Sequence, residues 1–244
     1  MPPFRQARRA GPGPRVGTMS TFALGQMQVR RSGYGAMQLA GPYAFGPPPD
    51  RATAIGVLRA AVAAGVDHID TAQYYGDGAV NGLIRNALWP YPDGLAIVSK
   101  VAVRRDDSGA VLPFDDPDQL REGIEDNLRS LRAGQLAAVN LRLPGDGRVD
   151  ARFDDQLAAM VAARDEGLIA GAGLSNVSLE QLRHASGRCH SGSSAHPEQI
   201  ICARPALTDG TVPGTPIRRF WERFPAQRSA PPSRIVTAGD KQGA

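Results

Sequence analysis

From residue 33 to about residue 185, short apolar runs alternate with amphipathic helical stretches five times, at about 30 to 35 residues per unit. Few folds tolerate that rhythm. Strands separated by helix-length crossovers cannot pair as hairpins, so the pattern reads as βαβ units around a parallel sheet. The first apolar run spans 34–39. Asp50 then caps a helix carrying Ile55, Leu58 and Val62, which Gly65 ends. Residues 66–70 read as the second strand, followed by a helix with Val80, Leu83, Ile84, Ala87 and Leu88 that Pro90 stops. Residues 95–101 form the third strand. Asp116, Pro117 at the first helical position and Gln119 three residues after the cap open the next helix, with its stripe at Leu120, Ile124, Leu128 and Leu131. Residues 136–143 are the fourth strand, and Leu157, Met160 and Val161 mark a helix ended by Gly167. Residues 168–175 are the fifth, after which Ser178 with Gln181 opens a fifth helix.

Beyond His184 the rhythm stops. Gly and Ser crowd 186–194, Pro recurs to residue 232, and only 199–202 resembles a strand, with one helix-like run at 217–224. Such composition buries too little apolar surface to offset its ordering entropy. The chain therefore divides into a basic Pro/Gly-rich extension and lead-in (1–32), a β/α portion (33–185) and an irregular or disordered tail (186–244). Eight-unit barrels run to roughly 250 residues. Five strands are used by residue 176, and three more units need on the order of 100 residues where 68 remain. The expected fold is α/β, of the parallel (β/α)8 TIM-barrel type, incomplete at about five units. Open strand edges and little affinity for a dinucleotide are expected of such a chain.

Charge narrows the function classes. Up to residue 185, 20 Lys plus Arg balance 20 Asp plus Glu, so the net +4 resides in the last 59 residues. A nucleic-acid-binding face is a basic cluster on a folded element, which argues against such a partner. No window approaches the roughly 18 to 20 apolar residues of a membrane span. Arg5, Arg8, Arg9 and Arg15 precede no apolar core, against a secretory signal; the two readings left are a transit peptide and an upstream extension before a start at Met19, of which the extension is the one expected. Cys189 and Cys202 define neither a disulfide framework nor a metal site, so a reducing cytoplasm is the expected location.

The chemistry begins at Lys100, the only Lys before position 241 among 28 basic residues. It ends an apolar strand, and in parallel β/α barrels the carboxyl ends of the strands build the active site. Asp70 ends the neighbouring strand in the same way, and the loop after it carries Tyr75. An aspartate beside a lysine keeps the ammonium charged and oriented. That charge beside a phenol is expected to lower the phenol's pKa from about 10 toward neutrality, giving a usable proton donor.

These segments resemble the aldo-keto reductase family over residues 33 to about 185. Asp70-Thr71-Ala72 followed by Tyr75-Gly76 is similar to the family's Asp-Thr-Ala-x-x-Tyr-Gly motif, and Val98-Ser99-Lys100-Val101 to its lysine strand. Gly173-Leu174-Ser175-Asn176 resembles the strand whose Ser-Asn pair holds the nicotinamide carboxamide. Gly33-Tyr34-Gly35-Ala36-Met37 resembles the first strand lining the cofactor. The resemblance implies a β/α barrel, NADP(H), and hydride transfer to a small carbonyl substrate with tyrosine as general acid. It assigns Asp70, Tyr75, Lys100 and Arg142 to catalysis, and Ala36, Met37, Asp70, Ser175 and Asn176 to the cofactor. No metal site is implied, and nothing sets an oligomeric state.

Two departures matter. Where the family commonly has a histidine ending the fourth strand, this chain has Arg142 in Val139-Asn140-Leu141-Arg142. Arginine stays charged and only donates hydrogen bonds; it can polarise a carbonyl but not relay a proton. The family's later motifs, which bind pyrophosphate and adenosine 2′-phosphate, are not recognisable after Asn176; Val212-Pro213-Gly214-Thr215 is only a faint echo of one. A frameshift or truncation near residue 185 would account for this. The rival readings are a catalytically inactive remnant and a non-catalytic regulatory subunit on the same scaffold.

Overall fold

Two antiparallel strands precede the sheet in this computed structural model, which describes residues 21–24, 27–189 and 200–203. β1 (Thr21–Leu24) pairs with β2 (Met27–Arg30). Their buried Leu24 and Val29 pack on Ala96, Val98 and Ala138, small and branched residues facing the inside of the parallel sheet near its amino ends. The Asp67 carboxylate fixes the hairpin by accepting two bonds from the Arg30 amide, at 3.1 and 2.9 Å. The segment before Met19, the run at 217–224 and the Val212–Thr215 stretch lie outside the described residues.

The sheet then grows in chain order. β3 (Tyr34–Gly35), β4 (His68–Asp70), β5 (Ala96–Arg105), β7 (Ala138–Arg142), β8 (Ala172–Ser175) and β9 (Ile200–Ala203) are all parallel and each pairs with the next. Right-handed crossovers between strands in sequential order place every helix on one face, which is how a barrel wall is wound. A doubly wound sheet would reverse its strand order. β9 falls on the strand-like run at 199–202, so the parallel sheet continues one strand past residue 185.

The helices α1 (Arg51–Ala63), α2 (Ala79–Leu88), α3 (Pro117–Leu131), α4 (Ala151–Asp165) and α5 (Leu179–Cys189) follow β3, β4, β5, β7 and β8. Their stripes meet the outer face of the sheet. Ile69, Val139, Leu141 and Leu174 from the strands and Leu58, Leu83, Ile84, Leu120, Ile124, Leu131 and Met160 from the helices are at most 2% exposed and form one cluster. Each such side chain contributes roughly 1.5–3 kcal/mol relative to exposure.

The starts predicted for the helices are seen. The Asp50 carboxylate accepts from the amides of Ala52 and Thr53. Asp116 and Gln119 form a reciprocal capping box, as do Ser178 and Gln181, at 3.1 and 3.0 Å. Replacing the Ser178 hydroxyl removes the acceptor for a helix amide; Ser178→Ala is expected to cost about 1 kcal/mol in urea unfolding.

Two elements differ from the sequence expectation. The first strand is only two residues long, because Ala36–Leu39 turns into a 3-10 helix. β5 runs on to Arg105, four residues past the expected end. Val101 still pairs with Leu141, but Ala102 pairs antiparallel with Phe114 of β6 (Val111–Phe114). At that switch Ala102 has φ 86°, a region that costs an L-residue of order 1–3 kcal/mol. The arm formed by β5 and β6 stands beyond the carboxyl end of the sheet. Among the described residues no helix is long and apolar enough to cross a membrane.

Candidate active site

Register stacks the candidate residues in levels along the inner face. Asp70 pairs with Val98, and Val98 with Ala138. Two residues on, Lys100 pairs with Asn140 and Asn140 with Gly173; two further on, Arg142 pairs with Ser175. Side chains alternate faces along a strand, so residues two apart share one. Five of the candidates (Asp70, Lys100, Arg142, Ser175 and Asn176) thus gather at the carboxyl ends of adjacent strands.

Lys100 is 7% exposed and is held from two sides. Its Nζ donates to Asp70 Oδ1 at 2.6 Å and to the Thr71 carbonyl at 3.1 Å. Beneath this pair lies a buried polar network. Thr71 Oγ1 donates to Asn81 Oδ1 (2.8 Å), and Asn81 Nδ2 donates to Gln73 Oε1 (2.7 Å) and Asn127 Oδ1 (3.0 Å). Ser99 Oγ donates to the same Asn127 oxygen, and Ser130 Oγ to Gln73. Thr71, Asn81, Ser99 and Asn127 are all fully buried. Satisfied networks of this kind favour one arrangement over its neighbours; here they fix the loop after β4 to α2, β5 and α3.

That loop carries Tyr74 and Tyr75, each 8% exposed, with their rings edge to face at 5.1 Å. The Lys100 ammonium lies 5.2 Å from the Tyr75 ring centroid. Gly76, at φ 62°, ends the loop where a Cβ would stand 2.6 Å from the Gly46 carbonyl oxygen, so the Tyr-Gly pair needs its glycine. The phenol does not behave as expected from the sequence. Burial, then the charge of Asp70, push the Tyr75 pKa up to about 12, against smaller lowering effects of Arg142 and a hydrogen bond with Tyr74. Burial likewise raises Tyr74, and takes Tyr91 to about 12. The correction has a plain cause: desolvation of the phenolate outweighs nearby cations.

These phenols keep their protons in the folded chain at pH values where the unfolded chain releases them, near 10. Stability is therefore expected to hold up to about pH 10. It should then fall as pH rises toward 12, by up to about 1.4 kcal/mol per unit for each of Tyr74 and Tyr75 and by less for the more exposed, better screened Tyr91. Phenolate absorbance and denaturant midpoints across this range check it.

Above the tyrosines opens a cleft of about 740 Å³, lined by Met37, Tyr43, Tyr74, Tyr75, Arg105 and Arg142 among others. Met37 is half-exposed on its wall, whereas Ala36 is fully buried in the core cluster. Arg142 is half-buried, and among the described residues no hydrogen bond or ion pair engages its guanidinium. Asn176 has φ 59° and its Nδ2 donates to the Leu143 carbonyl at 2.9 Å. Asn140, one level below Arg142, is 1% exposed, and its Oδ1 has no partner among the described residues.

Arg105, Tyr43 and Tyr74 escaped the sequence reading. Arg105 donates to the carbonyls of Tyr74, Gly109 and Tyr43, tying three cleft loops together; one arginine among 26 gives no signal. Tyr74 was legible as half of a Tyr-Tyr pair.

The model of the Aldo/keto reductase family matches residues 32–199, and the chain belongs to that family. Pyridoxine 4-dehydrogenase of Escherichia coli is 46% identical over 169 residues, which cover 68% of this chain and 59% of that protein. An uncharacterized oxidoreductase of Schizosaccharomyces pombe is 32% identical over 167 residues, 68% of this chain and 53% of that one. The chain thus spans little more than half the length of these relatives. Among solved structures, an aldo/keto reductase from Klebsiella pneumoniae in complex with NADP and acetate superposes with a TM-score of 0.53 at 25% identity. That match covers 70% of this chain and 54% of that one. The glycerol dehydrogenase of Gluconobacter oxydans gives 0.58 at 25%, covering 66% and 49%.

Proposed function

We propose that this chain carries the catalytic half of an NADPH-dependent reductase that converts an aldehyde or ketone to its alcohol, with Tyr75 as general acid. The observation that carries the reading is the juxtaposition in one cleft of Tyr75 and Arg142 over the ion pair of buried Lys100 with half-exposed Asp70. The names of the relatives support the class of reaction, and the NADP held by the Klebsiella structure supports the cofactor.

The residues present fit the nicotinamide end of such a cofactor. A carboxamide needs both donors and acceptors; Ser175 offers a hydroxyl, Asn176 keeps its Oδ1 while its Nδ2 holds Leu143, and Asn140 adds an unpartnered oxygen. Met37 gives an apolar wall, and Asp70 borders the site from below. When bound, NADPH supplies the hydride that the carbonyl carbon accepts. The chain's own residues do the rest. Tyr75 gives its proton to the carbonyl oxygen, leaving an alcohol, and regains it from solvent through the open cleft. Raised to about 12, the phenol stays loaded at neutral pH and can still protonate an alkoxide. Arg142 donates hydrogen bonds to the same oxygen and stabilises its developing charge. Asp70 and the Thr71 carbonyl hold Lys100 against the ring of Tyr75.

The relationship to pyridoxine 4-dehydrogenase favours a ring-borne alcohol and aldehyde pair as substrate. The inactive-remnant and regulatory-subunit readings gain nothing from these oxidoreductase relatives. The test is aldehyde-dependent loss of NADPH absorbance with the purified chain, pyridine-4-carbaldehyde serving as the first substrate. Stoichiometric alcohol is expected. A chain that binds NADPH yet reduces no aldehyde would return the choice to the non-catalytic readings.

A further inference from the structure

The buried polar network holds the loop after β4 as far as Gln73. Tyr74, next along, is held by a side chain from another element. Arg105, at the end of β5, donates from Nε to the Tyr74 carbonyl at 3.3 Å. Each of the other two guanidinium nitrogens serves a different segment. Nη1 donates to the Gly109 carbonyl in the turn between β5 and β6 (2.5 Å), and Nη2 to the Tyr43 carbonyl in the segment after β3 (2.9 Å). The guanidinium also lies 5.8 Å from the centroid of the Phe45 ring, and a Cβ on Gly109 would stand 3.0 Å from an atom of that ring.

The same Tyr43 segment closes the other side of Tyr75. Its Ala44 carbonyl accepts from the Gly76 amide at 2.9 Å. Tyr75 therefore stands between two backbone anchors, Tyr74 on Arg105 and Gly76 on Ala44. To present both carbonyls the segment places Tyr43 and Ala44 at φ 59° and 58°. L-residues keep that left-handed backbone only where their surroundings hold it, and Arg105 is the side chain that ties this segment to the Tyr74 carbonyl.

We propose that Arg105 is a positioning residue for proton transfer, locking the backbone on both sides of Tyr75 so that the phenol is held against the carbonyl it protonates. This role rests on the carbonyl-reductase reading, whereas the backbone lock is independent of turnover. Lysine cannot substitute, because one ammonium nitrogen does not reach three carbonyls that a planar fork spans.

The test compares Arg105→Ala and Arg105→Lys with the native chain and with Arg104→Ala, whose lost guanidinium lies over the Phe114 ring instead. With pyridine-4-carbaldehyde, both Arg105 variants should lose about tenfold to a hundredfold in kcat, the scale for displacing a reacting group by about 1 Å. KM should change little. The solvent deuterium isotope effect on kcat should rise, because the proton step slows. Exchange of the Gly76 amide, followed by NMR, should accelerate by about tenfold, the scale of one hydrogen bond. Arg104→Ala should move none of these. Circular dichroism reports the fold; should Arg105→Ala not fold, Arg105→Lys, which keeps the stem and the charge, carries the test. Native kcat in a folded Arg105 variant, equal losses in Arg104→Ala, or a lower kcat with isotope effect and Gly76 exchange both unchanged overturns the proposal. Should the native chain reduce no aldehyde, the carbonyl-reductase reading fails, and Gly76 exchange still decides whether Arg105 holds the loop.

Discussion

Tyr75→Phe is expected to lower kcat for carbonyl reduction by about 10²–10⁴-fold, the usual contribution of a positioned general acid. The substitution removes one oxygen and leaves the ring that packs edge to face on Tyr74, so the fold and the affinity for NADPH should change little. Tyr74→Phe is the necessary control, because the two phenols share the cleft; it should fall far short of the Tyr75 effect. The pH profile adds a second signature. An acid must be protonated to act, so kcat/KM declines as pH rises through the Tyr75 pKa of the free chain. Burial and Asp70 set that value at about 12, so no loss assignable to this group is expected below about pH 10. A Tyr75→Phe variant that keeps more than about a tenth of native kcat would exclude the phenol as the donor.

Lys100→Met should be nearly as damaging, by a different route. Lys100 is the counter-charge of Asp70 at 2.6 Å and the donor to the Thr71 carbonyl. Without it the Asp70 carboxylate stands unbalanced, and its charge already acts to raise the Tyr75 pKa. The phenol becomes a weaker acid still, and kcat should drop by about 10²-fold or more. The Thr71 carbonyl also loses that donor, at a cost of about 1–3 kcal/mol. Lys100→Arg should recover only part of the activity, since a planar guanidinium cannot occupy the space of a compact ammonium. Native kcat in Lys100→Met would show that the ammonium has no part in the chemistry.

Much of this architecture is legible in the sequence, for reasons that are physical. β5 and β7 are covered by helices on one side and by the hairpin or neighbouring strands on the other. They therefore appear as mainly apolar runs, in which Lys100 of β5 and Arg142 at the end of β7 stand out as charges, as Asp70 does at the end of β4. The helix caps are local chemistry and fall where the residues say. What the pattern hides is non-local. Leu24 and Val29 reveal their partners, Ala96, Val98 and Ala138, only after folding. The outer half of β5 carries Arg104 and Arg105, so its pairing with β6 leaves no apolar trace. Asn127 gave a usable signal: it sits three and seven residues after Ile124 and Leu120, a polar group on the buried stripe. The Tyr75 pKa could not be read from neighbouring charges, because its largest cause is the burial of the ring.

The central claim is that this chain passes hydride to a carbonyl carbon while Tyr75 protonates the oxygen. Mass spectrometry of the alcohol formed from NADPH deuterated at its transferable hydrogen tests it most directly. The account predicts one deuterium on the former carbonyl carbon, with the label's rate of appearance falling by about 10²–10⁴-fold in Tyr75→Phe. Alcohol that carries no label, or labelled alcohol formed equally fast without the phenol, would contradict it.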